Sequence, residues 1–243
     1  MELSQRSAMV FAAGLGTRMQ PLTNTCPKPL LEIGCRSFLT RALDHIDQAD
    51  ISNVVVNTFY FPDQVANTLK HHSHVQISLE DERLETGGGA KKALSLLGDE
   101  AFFTLNGDVV WQAPHLLAQL HDAWDNQTMD ALLLLIPTEE AHGSVGNGDF
   151  VFDQDGKLER YTGQPAKAYT YTGCQLIHPR LFVDSPDIFS MNLLYDRALA
   201  QGRLFGQVLQ GDWFHISTPE DLETWGPVIA NSETERIVSG RRL

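Results

Sequence analysis

One short segment near the N-terminus brings together the residue types that bind phosphate. Its glycines, hydroxyl and cations are Gly14, Gly16, Thr17, Arg18 and, after a short gap, Lys28. Glycines lack a Cβ atom and so let backbone N–H groups approach a phosphate chain, and an arginine adds a forked cation. The segment therefore predicts a phosphate-binding loop. It is not the dinucleotide-binding fingerprint, because Met19 stands where that motif has its third glycine.

Asn106 and Asp108 form a second pair of polar residues, and they follow directly after a run of apolar residues. The run predicts a buried strand, and ligands of open α/β folds collect at the carboxyl ends of such strands. We therefore expect both side chains to lie at the ligand-binding edge of a sheet.

Short aliphatic runs alternate with stretches of helical periodicity, which predicts βαβ units around a mixed, mostly parallel sheet. The predicted strands cover 8–13, 53–58, 75–79, 101–105, 130–136, 175–178, 205–209 and 213–216. The predicted helices cover 38–49, 62–71, 87–97 behind a loop, 114–123, 193–200 and the chain from 219 onward. Turn residues and alternation between 143 and 171 predict a small antiparallel excursion laid over the sheet.

Composition limits the possible partners. The 18 Lys and Arg residues against 31 Asp and Glu residues give a net charge of −13, which disfavours binding to nucleic acid. Three scattered cysteines predict no disulfide scaffold. The chain has no export signal and no apolar run near the ~20 residues that span a bilayer, so we expect a cytoplasmic protein without a membrane partner.

Several motifs resemble those of the nucleoside-diphosphate-sugar pyrophosphorylases, the sugar-1-phosphate nucleotidyltransferases of the glycosyltransferase-A-like fold. The opening pattern G-x-G-x-R-M-x-P-L-T followed by P-K-P is present in full. Further matching segments are LETGGG at 84–89, NGDV at 106–109, GDF at 148–150 and HPRLF at 178–182. The resemblance implies a Rossmann-like α/β fold in one domain, 1–243. Its nucleotide-binding half would be near 1–110, its sugar-phosphate-binding half near 111–230 and its C-terminal tail at 231–243.

The resemblance also implies roles for individual positions. Catalytic roles fall on Arg18, Lys28 and Asp108. Nucleotide binding falls on Ala13, Gly14, Gly16, Thr17, Arg18, Lys28, Glu85, Gly87, Gly88 and Asn106. Sugar-phosphate binding falls on Asp149, Glu159, Arg160 and Gly173. Asp108 is expected to bind Mg²⁺.

His215 departs from the family pattern, because it stands where relatives have a second metal-binding aspartate in the motif W-x-D-x-G-T. Imidazole suits Mn²⁺ or a softer ion better than Mg²⁺. Three interpretations stay open. Asp108 and phosphates alone could hold the metal with His215 donating to a phosphate, a softer ion could bind through His215, or the chain could have lost activity.

The implied reaction joins a nucleoside triphosphate to a sugar 1-phosphate and releases pyrophosphate. The favoured pair of substrates is UTP with N-acetylmuramate 1-phosphate, which belongs to bacterial peptidoglycan recycling. The second pair is GTP with a mannose-type or heptose 1-phosphate. A non-catalytic sensor of nucleotide sugars is the alternative from another class. We expect a monomer or a small homo-oligomer.

The sequence HHSH at 71–74 is a further cluster of metal-ligand side chains. It follows directly after a predicted helix. We expect it to be a solvated helix end and not a metal site.

Overall fold

Most of the predicted strands and helices are present in the computed structural model, which describes residues 1–238. The strands are β1 (Ser7–Phe11), β2 (Glu32–Ile33), β3 (Arg36–Ser37), β4 (Asn53–Thr58), β5 (Val75–Leu79), β6 (Phe102–Asn106), β7 (Val110–Gln112), β8 (Ala131–Pro137), β9 (His142–Gly143), β10 (Phe150–Phe152), β11 (Leu158–Arg160), β12 (Tyr169–Ile177), β13 (Leu204–Val208) and β14 (Asp212–His215). The helices are α1 (Phe38–Asp47), α2 (Pro62–Leu69), α3 (Glu85–Leu97), α4 (Leu116–Ala123), α5 (Asn192–Ala200) and α6 (Pro219–Val238). Short 3-10 turns lie between them.

A nine-stranded mixed sheet forms the centre of the molecule. Its strands run in the order β11-β10-β12-β6-β1-β4-β5, and β8 joins β12 to β13. β1 is parallel to β4 and β6, and β4 is parallel to β5. β12 is antiparallel to both β6 and β8. The predicted α/β fold with a mixed sheet is confirmed, and the carboxyl ends of β1, β4, β5 and β6 share one edge.

The segment between 143 and 171 differs from its prediction. β10 and β11 form an antiparallel pair, and Phe150 of β10 pairs with Tyr169 of β12. The excursion therefore extends the central sheet and does not lie over it. The register of β12 against β8 shifts between Tyr171 and Gln175, and this irregularity contains Gly173.

A second sheet of three strands, in the order β7-β14-β9, was only partly predicted. β14 was expected, whereas β7 and β9 have three and two residues and are too short to show a periodicity. This small sheet matters for function because β7 begins two residues after Asp108 and β14 ends at His215.

Helices cover both faces of the large sheet. Leu39 and Ile46 of α1 pack in the core cluster on one face together with α4, and Ala93 of α3 and Leu194 of α5 pack in the cluster on the other face. The hydroxyl of Ser37 caps α1 by accepting a hydrogen bond from the Thr40 N–H at 3.1 Å.

Helix α6 continues into the segment that was expected to be a C-terminal tail. It includes residues 231–238, and residues 239–243 of that prediction lie outside the described residues. Among the helices of residues 1–238, none combines the length and the apolar character that crossing a bilayer requires.

Candidate functional site

The loop after β1 folds back against Lys28. Gly16 has φ +60°, and a Cβ atom on it would lie 2.9 Å from Lys28 Cβ and 2.9 Å from Thr23 Cγ2. Only glycine, which has no Cβ atom, readily adopts this left-handed backbone conformation and allows Lys28 and Thr23 to approach so closely. The Thr23 hydroxyl donates to the Gly16 carbonyl at 2.8 Å and holds the loop in this shape. Thr17 and Arg18 lie in the following 3-10 turn, and both are exposed.

Lys28 is paired with Asp108. The Lys28 ammonium donates to Asp108 Oδ2 at 2.9 Å, and the two side chains are 5% and 38% exposed. Partial burial acts to raise the pKa of Asp108, but Lys28, and after it His215 and Arg18, outweigh burial and hold that pKa below its usual value. Asp108 is therefore ionised at neutral pH, with its charge partly open to solvent.

Asn106 is positioned by two glycines. The Gly107 N–H donates to the Phe11 carbonyl at 2.9 Å and so joins the ends of β6 and β1. A Cβ atom on Gly173, where φ is +83°, would lie 2.7 Å from Asn106 Nδ2. Gly173, predicted to bind the sugar phosphate, thus makes room in β12 for the side chain of Asn106.

His215 lies close enough to Asp108, Lys28 and Arg18 for their charges to act on its pKa. Burial is the main cause that lowers this pKa; Lys28 also lowers it, while Asp108 raises it. If activity depends on the protonation of His215, the corresponding limb of the pH–activity profile is therefore expected below the pKa of ~6.5 of an unperturbed histidine.

The tautomer of His215 follows from its partner. His215 Nδ1 lies 2.8 Å from the Ser144 carbonyl oxygen, which can only accept, so Nδ1 carries the proton. In the neutral ring Nε2 then has a free lone pair and cannot donate to a phosphate. This geometry favours Nε2 as a metal ligand over the interpretation in which His215 donates.

Asp108 and His215 offer a donor set that fits a divalent ion. Asp108 Oδ1 takes part in no hydrogen bond within residues 1–238 and is free to coordinate. Beside one carboxylate oxygen and one imidazole nitrogen, phosphate oxygens and water can fill the remaining coordination positions of such an ion.

A cavity of about 330 Å³ opens beside the phosphate-binding loop. Its lining residues are Phe11, Ala13, Gly14, Asn57, Glu80, Arg83, Glu85, Thr86 and Ser190. The predicted nucleotide-binding residues Ala13, Gly14 and Glu85 are thus brought together in one place.

The buried pair Asn57 and Glu80 in this cavity was missed by the sequence analysis. Asn57 Nδ2 donates to Glu80 Oε1 at 2.6 Å, and Asn57 Oδ1 accepts from the Ala12 N–H at 2.8 Å. The pKa of Glu80 is raised, because the effect of burial is larger than the opposing effects of its hydrogen bonds and of the charge on Lys92. The one signal in the sequence was position, because both residues lie at carboxyl ends of predicted strands.

Gly87 and Gly88, which were expected to bind the nucleotide, lie in a different setting. Both lie in the first turn of α3, and both N–H groups donate to the Phe189 carbonyl, at 2.9 and 3.1 Å. A Cβ atom on Gly88 would lie 2.2 Å from the Asp187 carbonyl. The close packing of the 187–189 segment requires both residues to be small. Because both amides already donate to Phe189, neither is free to bind a nucleobase.

A second cavity of about 180 Å³ adjoins the first. It is lined by Phe11, Thr86, Asn106, Asp149, Phe150, Arg160, Tyr171, Ser190, Met191, Asn192 and Tyr195. Asp149 Oδ2 accepts from the Tyr171 N–H at 2.8 Å, and the Arg160 guanidinium is held by Asp196 at 2.8 Å. Glu159 is exposed and lines a separate cavity with Lys157, so the structure does not bring it together with Asp149.

Comparisons with known proteins agree with this geometry. The family model of the MobA-like NTP transferase domain matches residues 8–189. The N-acetylmuramate α-1-phosphate uridylyltransferase of Caulobacter vibrioides is 36% identical over 90% of this chain and 95% of its own length. A mannose-1-phosphate guanyltransferase of Emericella nidulans is 26% identical over 94% of this chain and 65% of its own. HddC from Yersinia pseudotuberculosis, solved with GMP-PN, has the same fold, with a TM-score of 0.73 at 20% identity over 93% of this chain and 100% of its own.

We predict that Gly173→Ala weakens binding of a nucleoside triphosphate at least about tenfold, because the new methyl group displaces Asn106. Gly202→Ala is the matched control, since Gly202 also has a positive φ, +64°, but a Cβ atom on it would meet no neighbouring atom within 4 Å. Each variant should lose about 1–2 kcal/mol of unfolding free energy from the left-handed backbone. Calorimetric titration and thermal unfolding measure the two effects, and equal triphosphate affinity in both variants would contradict the role given to Asn106.

We predict that Lys28→Met raises the pKa of Asp108, because burial is then no longer opposed by the ammonium group. The pKa of His215 should rise as well, since Lys28 lowers it. The acid limb that Asp108 sets would accordingly move to higher pH. NMR titration of the Asp108 carboxyl carbon and the His215 ring measures both changes, with Lys28→Arg as the charge-preserving control. Unchanged values in Lys28→Met would show that the ion pair does not control these groups.

Proposed function

This chain belongs to the MobA-like NTP transferase family, and we propose that it transfers a uridylyl group from UTP to N-acetylmuramate α-1-phosphate and releases pyrophosphate. Nucleotidyl transfer to a sugar 1-phosphate is the reaction of its family. The observation that carries the proposal is the ion pair between the buried Lys28 and the ionised Asp108. Asp108 follows two residues after Asn106, which lines the second cavity, and Gly14 of the phosphate-binding loop lines the first. The choice of substrates rests on the uridylyltransferase of Caulobacter vibrioides.

The reaction needs no protein nucleophile and no general base. A phosphate monoester, whose second pKa is about 6, is already ionised at neutral pH. Its oxygen attacks the α-phosphorus of UTP in line, a new P–O bond forms, and the bond to the departing pyrophosphate breaks with its electron pair. The work left to the protein is to hold two polyanions together and to stabilise charge.

Arg18 and Lys28 are the cations that we assign to the triphosphate. Arg18 is exposed and makes no side-chain hydrogen bond or ion pair in the described part of the chain, so its guanidinium can turn to a phosphate. Lys28 is nearly buried and fixed. Thr17 and the backbone of Gly14 and Gly16 complete the proposed phosphate loop.

Asp108 is the proposed ligand of a divalent ion, Mg²⁺ by preference and Mn²⁺ or a softer ion as the alternative, with His215 Nε2 as a second ligand. A divalent ion bound there supplies positive charge to the α-phosphate and the leaving pyrophosphate. Lys28 holds Asp108 ionised, and Ser144 holds His215 in the tautomer with a free Nε2.

The second cavity is the proposed site of the sugar phosphate. N-acetylmuramate 1-phosphate carries a phosphate and a carboxylate, so a cation is needed at this end of the site. Arg160 supplies it; its guanidinium also lies 4.8 Å from the centre of the Phe150 ring. Asp149 is the proposed partner of the sugar hydroxyl or amide groups.

The two cavities support a nucleotide-binding half near 1–110 and a sugar-binding half near 111–230. We place the reaction in the bacterial cytoplasm, as a step of peptidoglycan recycling.

A second candidate is GTP with mannose 1-phosphate, which the guanyltransferase of Emericella nidulans favours. The chain spans 65% of that relative's length at 26% identity, against 95% at 36% for the uridylyltransferase. The uridylyltransferase reaction therefore ranks first.

Pyrophosphate release from a matrix of UTP, GTP and dTTP with N-acetylmuramate, mannose and glucose 1-phosphates tests the proposal. We expect UTP with N-acetylmuramate 1-phosphate to have the highest kcat/KM, and Asp108→Asn to lower it at least about 100-fold. A higher value for GTP with mannose 1-phosphate would replace the first candidate by the second. Nucleotide binding without pyrophosphate from any pair would indicate a sensor.

We predict that His215→Asp lowers the Mg²⁺ concentration that gives half-maximal activity, because a carboxylate suits Mg²⁺ better than an imidazole. The variant should also lack an acid limb set by His215, which in the wild type lies below ~6.5. Steady-state rates over a range of Mg²⁺ and pH measure both effects. His71→Asp, at an exposed histidine outside both cavities, is the control for the added charge. An unchanged or higher Mg²⁺ requirement in His215→Asp would remove His215 from the metal site.

A further inference from the structure

Three metal-ligand side chains, two histidines of one connection and an aspartate of an earlier helix, meet at one place in the fold. Asp47 lies in the last turn of α1, and His72 and His74 lie in the connection between α2 and β5. One ligand atom from each residue lies within 4.8 Å of the other two. From the sequence, HHSH was expected to be a solvated helix end, and Asp47 could not be placed beside it.

His74 and Asp47 are already separated by about the distance between two ligands of one ion. His74 Nε2 lies 3.1 Å from Asp47 Oδ1, and two ligands at about 2.0–2.1 Å from a tetrahedral ion are about 3.3–3.4 Å apart. His74 Nε2 is shielded from solvent and makes no well-aligned hydrogen bond to any described residue. The rings of His72 and His74 stand edge to face with their centres 6.1 Å apart, and a ring nitrogen of His72 lies within 4.8 Å of the ligand atoms of both His74 and Asp47.

Backbone hydrogen bonds hold His72 and Asp47 in position before any ion arrives. The His72 N–H donates to the Leu69 carbonyl and its carbonyl accepts from the Val75 N–H, both at 2.9 Å. Asp47 is held in the helix, where its carbonyl accepts from the Asp50 N–H at 3.0 Å. The cost of ordering the ligands is therefore reduced, because only side-chain rotations are needed.

We propose that Asp47, His72 and His74 bind one zinc ion, or a comparable borderline divalent cation, with water as the fourth ligand. Two imidazoles and one carboxylate are the donors that Zn²⁺ prefers, whereas Mg²⁺ requires mostly oxygen. Asp47 is exposed and His72 and His74 are half-buried, so an ion can enter from solvent and keep its water.

This site is separate from the nucleotide-binding edge. The parallel strand β5 begins just after His74, and α1 ends at Asp47, so the cluster lies at the amino edge of the parallel strands. Asn57, Glu80 and Asn106 lie at the opposite, carboxyl edge. An ion at the new site joins α1 to the connection that precedes the edge strand β5, and it stabilises the fold without taking part in transfer.

Calorimetric titration of ZnCl₂ into chelator-treated protein in excess Mg²⁺ tests this site. The variants are His72→Ala, His74→Ala and Asp47→Asn, and the control is His71→Ala, a change at the exposed neighbour outside the cluster. We expect each of the three variants to raise the Zn²⁺ dissociation constant at least about tenfold and the control to leave it unchanged. In the wild type and the control, Zn²⁺ at about 100 times its Kd should raise the thermal midpoint by about 5 °C.

His215 is intact in all four variants, so any Zn²⁺ bound there contributes equally and cancels in the comparison. Identical Zn²⁺ titrations of His72→Ala and His71→Ala would overturn the proposal, as would wild-type protein that binds no Zn²⁺. Asp47→Asn keeps the shape of the side chain and distinguishes a lost ligand from a disturbed fold, because its midpoint without Zn²⁺ should match that of the wild type.

Discussion

The ion pair between Lys28 and Asp108 is the interaction on which the site depends. It joins two segments 80 residues apart in sequence, the phosphate-binding loop and the β6–β7 connection. A lysine that is 5% exposed needs a counter-charge, because a buried cation without one is costly. Gly16 makes the approach of Lys28 possible, and the hydrogen bond from Gly107 to Phe11 holds the end of β6, after which Asp108 lies, against the end of β1.

This arrangement also explains how an acidic chain can handle polyanions. The net charge of −13 opposes the approach of any triphosphate and disfavours a general affinity for nucleic acid. The charge that matters is local, since Arg18, Lys28 and Arg160 are placed at the proposed phosphate and sugar sites. A divalent ion on Asp108 would reverse the remaining negative charge there, which is why metal is expected to be required for tight triphosphate binding.

The sequence predicted those parts of the fold that rest on long, regular burial patterns. The strands at 53–58 and 75–79 were predicted at their observed bounds, because both are runs with β-branched residues that the parallel sheet requires. β7 and β9 were missed because two or three residues carry no periodicity. Tyr169–Ile177 was divided between an excursion and a strand, because Gly173 interrupts its pattern.

The candidate site was predictable to the extent that a motif carried it. The family motifs gave catalytic roles to Lys28 and to Asp108 separately, and the structure places the two side chains 2.9 Å apart. The pair Asn57 and Glu80, the occupied amides of Gly87 and Gly88, and the cluster of Asp47 with His72 and His74 could not be predicted. Each depends on how helices return across the sheet, and that information is not local in sequence.

The central claim is that the chain supplies charge and position, and that the sugar phosphate itself attacks the α-phosphorus. The stereochemical course of transfer from UTP made chiral at the α-phosphorus by sulfur substitution tests this most directly. A single in-line displacement predicts inversion of configuration at that phosphorus. Retention would contradict the account, because it requires a second displacement through a nucleotidyl group bound covalently to a protein side chain.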